Sequence, residues 1–215
     1  MLRCLLGKKT IELESFSVDH EVFDRVVYDL GTGNGKFAYE IALKEPRNLV
    51  IGIDPVMENF GEYAKKSHKS IAKRDHPNLL FLIDSVESID SRLAGTADDI
   101  YVNFPWGSLL EGIAKGEAPI LNQISKLGKQ GSLLHVVFSY SSIHETAEVT
   151  RRALPQLTDE YFKEVLEPRY KLAGISIDQH ILLDDEGLHS IGTFWAKTLY
   201  RGKRREIHSL ECTIL

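Results

Sequence analysis

The sequence contains little cysteine and no long apolar run. Among 215 residues only Cys4 and Cys212 occur, near opposite ends. Two such distant thiols predict neither a disulfide framework nor a zinc site, and the eight histidines show no metal-ligand spacing. No segment approaches the ~18 apolar residues of a membrane span, and the first apolar stretch stops at Gly7, too early for a signal peptide. We therefore expect a cytoplasmic protein with no membrane span and no metal.

Basic residues are fewer than acidic ones, 26 against 31, but they are locally concentrated. The net charge is −5 at pH 7, yet basic residues cluster in 65–74, at 151–152 and in 197–205, and the last of these segments contains no acidic residue. Screening by salt makes the local field matter more than the total charge, so an acidic protein can still bind phosphates through a basic surface. These clusters predict contact with nucleic acid, with merely solvated surface as the alternative.

Strand-like and helix-like apolar periods alternate from residue 25 onward, which predicts an α/β sheet covered by helices. The predicted strands are 25–30, 49–53, 79–83, 100–104, 132–138, 175–183 and 192–200, with a possible edge strand at 206–213. The predicted helices are 36–44, 56–73, 120–127, 142–152 and 159–173. Ahead of them, 3–6 and 9–13 predict a hairpin. We expect one domain, 1–215, in which 1–15 is an N-terminal hairpin extension.

The most informative motif is Asp-Leu-Gly-Thr-Gly-Asn-Gly at 29–35, between a predicted strand and a predicted helix. Glycine lets the backbone approach a ligand closely and tolerates positive φ. The dinucleotide-binding motif requires a third glycine at position 36, where this chain has Lys36. The spacing is instead typical of S-adenosylmethionine (SAM) methyltransferases. A structural turn or a site for another nucleotide remains the alternative.

Acidic residues follow the first three strands of the predicted sheet. Asp54 ends the second strand, where a carboxylate can accept both hydroxyls of a ribose. Asp29 lies where it can reach the methionine ammonium, and we expect adenine contacts in 84–87, with Glu87 as the preferred residue. The cofactor-binding residues predicted at these strand ends are Asp29, Gly31, Gly33, Gly35, Asp54, Pro55, Ser85, Val86 and Glu87.

Two tryptophans suggest the acceptor. Trp106 follows the fourth strand between Pro105 and Gly107, where a flat ring can stack on a planar substrate. Trp195 immediately precedes the basic segment 197–205. Rings of this kind replace the stacking that a flipped base loses, at ~1–3 kcal/mol per base, while cations hold the phosphates. A neutral ring nitrogen has its lone pair ready, so transfer mainly requires proximity and orientation.

Segments 29–35, 51–56, 104–110 and 195–205 together resemble the aminoglycoside-resistance methyltransferases of the kanamycin–apramycin type. Those enzymes methylate N1 of an adenine in the decoding site of 16S rRNA. The resemblance implies a class I SAM-dependent (Rossmann-like) α/β fold, with a mostly parallel seven-stranded sheet, an antiparallel last strand and an N-terminal hairpin. It also implies SAM as cofactor, S-adenosylhomocysteine as product and 16S rRNA within the assembled 30S subunit as partner. We expect a monomer.

The resemblance also implies roles for individual residues. Trp106 and Trp195 would enclose the flipped adenine, and a backbone carbonyl near Phe104 or Pro105 would accept from its amino group. Thr193 and Asn103 would lie against the cofactor, although the family usually has an apolar residue in place of Asn103. The residues expected at the RNA surface are Lys65, Lys66, Lys69, Glu145, Arg152, Lys197, Arg201, Lys203, Arg204 and Arg205.

Other functions remain open on the sequence. The segment Asn-Phe-Pro-Trp at 103–106 is also similar to the Asn/Asp-Pro-Pro-aromatic loop of amino-group methyltransferases and to a segment of tRNA guanine-N7 methyltransferases, but it lacks the second proline of both. A small-molecule methyltransferase is a third alternative. A fourth is a ribosome-associated protein that binds SAM without transferring its methyl group.

Overall fold

The computed structural model describes residues 2–6, 9–71, 77–141, 145–184 and 206–215, which form one mixed sheet with helices on both faces. The strands are β1 (Leu2–Leu6), β2 (Lys9–Leu13), β3 (Arg25–Leu30), β4 (Asn48–Ile53), β5 (Leu79–Leu82), β6 (Ala97–Asn103), β7 (Gly128–Phe138), β8 (Ile175–Leu182) and β9 (His208–Ile214). The α-helices are α1 (Lys36–Lys44), α2 (Gly61–Ser70), α3 (Gly107–Lys115), α4 (Ala118–Leu127), α5 (Thr146–Arg152), α6 (Asp159–Tyr161) and α7 (Glu167–Leu172). Short 3₁₀ turns occupy Met57–Phe60, Val86–Ser88 and Ser91–Leu93, and a π-helical turn occupies Phe162–Leu166.

The strand order is β2-β1-β5-β4-β3-β6-β7-β9-β8. The strands β5, β4, β3, β6 and β7 run parallel, whereas β9 is antiparallel to both of its neighbours. The hairpin β1–β2 extends the sheet by antiparallel pairing of Cys4 with Leu82. The mostly parallel sheet with an antiparallel last strand and an N-terminal hairpin, as predicted from the sequence, is confirmed in the described residues.

Several element predictions were wrong in detail. The segment 206–213 is not an edge, because β9 lies between β7 and β8 and pairs with both. The helix predicted over 56–73 begins as the 3₁₀ turn Met57–Phe60 and continues as α2 to Ser70. Helix α5 covers the second part of the segment predicted at 142–152, and residues 142–144 lie outside the described ones. The strand predicted at 192–200 also lies outside the described residues.

Helix α3 was missed because glycine weakens its helical signal. Glycine disfavours a helix interior by about 1 kcal/mol relative to alanine, and α3 begins at Gly107 and contains Gly112. Tertiary packing explains the second of these residues. A Cβ atom on Gly112 would lie 2.4 Å from Cγ1 of Ile120 in α4, so only glycine permits this close approach of the two helices.

The parallel strands carry the core on both faces, as expected for a sheet covered by helices. Val27 and Val50 pack with α1 and α2 on one face, whereas Tyr28 and Ile51 pack with α3, α4 and α7 on the other. The strand order reverses at β3: the next strands along the chain, β4 and β5, lie on one side of it, and β6 and β7 lie on the other. Ligands bind at such a switch point beyond the carboxyl ends of the strands. No helix in the described ranges is long and apolar enough to cross a membrane.

Candidate functional site

A cleft of about 620 Å³ opens at the carboxyl ends of β3, β4, β5 and β6. Its lining residues follow directly after these four strands or begin the helices that succeed them. They are Asp29, Gly31, Thr32, Gly33, Asn34, Lys36, Phe37, Ile53, Asp54, Pro55, Val56, Asn59, Asp84, Ser85, Val86, Glu87, Asn103, Phe104, Trp106, Gly107, Ser108 and Leu109. The structure therefore brings together in one cleft the described residues predicted to bind the cofactor, except Gly35, which is not among the lining residues.

The three glycines after β3 all have left-handed backbones, with φ of 68° at Gly31, 56° at Gly33 and 76° at Gly35. A Cβ on Gly35 would lie 2.5 Å from the Phe81 ring, and one on Gly31 would lie 3.0 Å from Leu109. A Cβ on Gly33 would meet no atom within 4 Å. Two of the glycines are therefore required for packing, and Gly33 leaves open space above the backbone.

Asp54 connects the glycine turn to the end of β4. Its Oδ2 accepts a hydrogen bond from the Gly33 N–H at 2.9 Å, and its Oδ1 accepts from the Val56 N–H at 2.9 Å and from Asn59 Nδ2 at 3.2 Å. A carboxylate offers about four acceptor positions. One position thus remains for a ligand hydroxyl, and the carboxylate is already oriented by the protein.

Asp29 is a buried acid at the end of β3. Burial raises its pKa to about 7, the hydrogen bond from Thr32 and the backbone of Ala38 act in the opposite direction, and the nearby charge of Asp54 adds to the increase. The Thr32 hydroxyl donates to Asp29 Oδ2. Asp29 thus changes charge near neutral pH, and a cation placed beside it would favour its ionised form.

The two acids in the turn after β5, Asp84 and Glu87, have different hydrogen-bond partners. The Asp84 carboxylate accepts from Ser85 N, Ser88 Oγ and Asp90 N at 2.9–3.2 Å, so it stabilises its own loop. Glu87 hydrogen-bonds to Ser108 at the start of α3, and although burial opposes ionisation, its hydrogen bonds lower its pKa. Glu87 is therefore the acid of this turn that faces the adjacent loop across the cleft.

The loop after β6 carries a strained residue and a large exposed ring. Phe104 has φ of 48°, an uncommon conformation for a residue with a side chain, and its N–H donates to the Val137 carbonyl at 2.7 Å. Trp106 precedes α3 and is 47% exposed although it lines the cleft. The indole thus lies at the mouth of the cleft, with Pro105 buried behind it.

Arg152, predicted at the RNA surface, is held within the protein. Its Nη1 lies 2.9 Å from Glu111 Oε2 in α3, its Nε donates to Glu148, and only 15% of its side chain is exposed. Its Nη2 lies 3.7 Å from the position of a Cβ on Gly107. A phosphate would compete with two carboxylates for this guanidinium, whose visible contacts support the loop that carries Trp106.

The other described residues predicted at the RNA surface lie in two regions. Lys65, Lys66 and Lys69 are exposed on α2; Lys66 lies 2.6 Å from Glu62. Glu145 accepts from the Ser141 N–H at 2.9 Å just before α5. Seven predicted site residues lie outside the described residues: Thr193, Trp195, Lys197, Arg201, Lys203, Arg204 and Arg205.

Sequence reasoning missed ten residues of the cleft: Thr32, Asn34, Lys36, Phe37, Ile53, Val56, Asn59, Gly107, Ser108 and Leu109. Asn34 lies within the glycine motif and Lys36 follows it, and Ser108 and Leu109 follow Trp106 at the start of an unpredicted helix. Proximity to the motifs was therefore an available signal. Asn59 reaches Asp54 only because a 3₁₀ turn folds back over the end of β4. No sequence pattern indicated that contact.

Comparison with known proteins gives consistent results. A family model described as NpmA: 16S rRNA (adenine(1408)-N(1))-methyltransferase matches residues 3–214. A 16S rRNA (adenine(1408)-N(1))-methyltransferase of Escherichia coli is 37% identical over 207 residues, covering 94% of this chain and 93% of that protein. One of Streptoalloteichus tenebrarius is 29% identical, covering 95% and 94%.

Solved structures with these names have the same fold. A mutant 16S rRNA (adenine(1408)-N(1))-methyltransferase from Catenulisporales acidiphilia, crystallised with cosubstrate SAM, superposes with a TM-score of 0.86 at 29% identity, covering 100% of this chain and 97% of that chain. The 16S rRNA methyltransferase KamB superposes with a TM-score of 0.84 at 28% identity, covering 99% of each chain.

Proposed function

The chain belongs to the 16S rRNA (adenine(1408)-N(1))-methyltransferase family, and on that premise we propose that it transfers the methyl group of SAM to N1 of that adenine and thereby confers resistance to aminoglycosides. The single observation that best supports this function is the cleft itself. An open glycine turn and an oriented acid, Gly33 and Asp54, line one part of it, and the exposed indole of Trp106 lies at its mouth.

The donor site would be formed by the ends of β3, β4 and β5. Asp54 would accept from one ribose hydroxyl, not from both as the sequence suggested, because three of its acceptor positions are already used. Asp29 would lie beside the ammonium, and the space above Gly33 would admit the ligand close to the backbone. When bound, SAM supplies an electrophilic methyl group. Adenine N1 carries a lone pair, so the protein needs no general base for the attack, and its task is to align the two reactants.

The acceptor site would lie on the β6 side of the same cleft. The Trp106 ring would stack on the flipped adenine, and a carbonyl of Phe104 or Pro105 would accept from its amino group. Trp195 on the second face and the basic segment 197–205 remain predictions from sequence. The exposed lysines of α2, together with Glu145, would contact the rRNA around the base.

The setting of the reaction is also part of the proposal. We take the substrate to be the assembled 30S subunit in the cytoplasm, and the enzyme to be a monomer of one domain, 1–215, that needs no metal. A folded rRNA surface presents its phosphates in a defined arrangement around the target base. A protein with separate basic clusters on α2 and in 197–205 can recognise such a surface by its shape.

Donor binding should depend on pH through Asp29. Its pKa is raised to about 7, so the free protein is largely protonated there below neutral pH. An ammonium beside Asp29 favours the carboxylate, so binding releases a proton and the affinity should rise from pH 6 to pH 8. Calorimetric titration with S-adenosylhomocysteine would measure this, and Asp29→Asn should bind more weakly with a flat profile. An affinity of the unaltered protein that is constant over this range would contradict the role of Asp29.

Methylation of isolated 30S subunits tests the function directly. With tritiated SAM, we expect label in the 16S rRNA of intact subunits and a reverse-transcriptase stop at adenine 1408, because methylated N1 cannot pair. Deproteinised 16S rRNA should be labelled much less, since it does not hold the folded surface. Label in tRNA with none in 30S subunits would favour a tRNA methyltransferase. SAM binding with no label in any RNA would favour a protein that binds the cofactor without transfer.

A further inference from the structure

Asn103, the last residue of β6, carries an unusual polar atom. Its Nδ2 is buried against the cleft and has no hydrogen-bond acceptor, the one buried side-chain nitrogen or oxygen in this state within the described part of the chain. An amide nitrogen has two hydrogens to donate, and leaving a buried donor unpaired costs ~1–3 kcal/mol. Such groups are rare in native proteins and call for a specific explanation.

The position of this amide is defined by the sheet. Strand β6 runs parallel to β3 with Tyr101 opposite Asp29, and Asn103 lies two residues further along β6, beyond the last residue pair with β3. On its other side Asn103 pairs with Val137 of β7. The backbone of Asn103 is thus held by β7. The amide lies on the β6 side of the cleft, separated by β3 from β4, which Asp54 follows.

Side chains of α1 pack on the face of the sheet that carries Tyr101. Tyr101 points to the same face two residues earlier, and its ring meets Phe37 of α1 edge-on at 5.1 Å. Lys36, the cation at the start of α1 that lines the cleft, has its Nζ 3.3 Å from Glu40 Oε1. The Asn103 amide is therefore a neutral donor, and Lys36, a cation that lines the same cleft, is engaged with a carboxylate.

The charges around the cleft indicate what this donor recognises. Asp29 and Asp54 supply acceptors, which suit the ammonium and hydroxyls of a ligand but repel a carboxylate. An amino-acid group carries both an ammonium and a carboxylate. We propose that Asn103 Nδ2 donates to the carboxylate of the amino-acid part of SAM, while Asp29 lies beside the ammonium. Residues at the ends of β3 and β6 then bind both charged groups of the amino-acid part. This inference rests on the proposed function because it takes SAM as the ligand.

The consequence is selectivity for the intact amino-acid group. Decarboxylated SAM keeps the nucleoside, the sulfonium and the amine but offers Asn103 no acceptor. Replacing Asn103 with leucine removes the donor and keeps the approximate volume. The Asn103→Leu variant should lose about tenfold in affinity for SAM, the effect of one hydrogen bond to a charged group, and should bind decarboxylated SAM as the unaltered protein does.

Calorimetric titration of both ligands, without RNA, tests the proposal. Asn103→Asp should bind SAM still more weakly, because it places a carboxylate against a carboxylate, and should not lose affinity for decarboxylated SAM. Asn59→Leu is the matched control: Asn59 also lines the cleft, but its Nδ2 already donates to Asp54 at 3.2 Å. It should weaken both ligands alike and leave their ratio unchanged.

Each other outcome has a definite meaning. Equal loss for both ligands in Asn103→Leu, or no loss for either, would overturn the assignment to the carboxylate. Unchanged affinities with slower methylation of 30S subunits would place the amide against the target base and would also overturn it. Failure of the proposed function would be distinguishable, because the unaltered protein would then bind no SAM or label no 30S subunits.

Discussion

Replacing Trp106 with alanine is expected to lower kcat/KM for methylation of 30S subunits by at least ~100-fold while SAM affinity stays nearly unchanged. The indole lies at the mouth of the cleft, 47% exposed, between buried Pro105 and the start of α3. Stacking of a base on such a ring contributes ~1–3 kcal/mol. An adenine that is not held flat also loses its alignment with the methyl group, so the rate should fall further than stacking alone requires.

Two variants separate this role from a general loss of apolar surface. Trp106→Phe keeps an aromatic face and should retain part of the activity. Leu172→Ala removes a large side chain that is 88% exposed at the end of α7, and should methylate at the unaltered rate. Initial rates with tritiated SAM and calorimetric SAM titrations measure both quantities. A Trp106→Ala enzyme as fast as the unaltered one would rule out the stacking role.

Replacing Gly33 with alanine should weaken SAM binding by about 30-fold, which corresponds to ~2 kcal/mol. Gly33 has φ of 56°, and an added Cβ would enter the open space above the turn where no protein atom lies within 4 Å. In the proposed donor site, the ligand approaches the backbone through that space. The methyl group would therefore exclude the ligand, and would also strain the backbone by roughly 1–2 kcal/mol.

Gly95→Ala provides a control with the same strain. Gly95 has φ of 65°, and a Cβ there also meets nothing within 4 Å, but it lies before the start of β6, at the opposite end of that strand from the cleft. Both variants should lower the thermal midpoint by a similar amount, and only Gly33→Ala should lose SAM affinity in a calorimetric titration. Equal affinities for the two variants would show that the ligand does not approach Gly33.

The part of the site that sequence could predict lies in short contiguous motifs. The glycine turn, Asp54 and the loop of Trp106 each follow an apolar strand directly, and the carboxyl ends of parallel strands meet at one edge of a sheet. Alternating strand and helix periods then suffice to bring them together. The family resemblance rested on these segments together with 195–205, and the match to the family model confirms it.

Contacts between distant segments were not predictable in this way. The family resemblance implied an RNA contact for Arg152, but no pattern in the sequence indicated that its guanidinium lies 2.9 Å from Glu111, 41 residues away. The segment 206–213 was predicted at an edge, but hydrogen bonding inserted it between β7 and β8. Local patterns carry no information on which distant residue forms an ion pair with a charged side chain, or on which strand pairs with a given edge.

By itself, the sequence determined the α/β class, the glycine turn and the acids that follow the strands, because these depend on local periodicity and on backbone freedom at three glycines. Only the tertiary structure decided what each side chain meets. It pairs Arg152 with two glutamates, leaves space above Gly33 and leaves Asn103 Nδ2 without an acceptor. Hydrogen bonding and packing act between segments that the chain separates, so these contacts exist only once the sheet has formed.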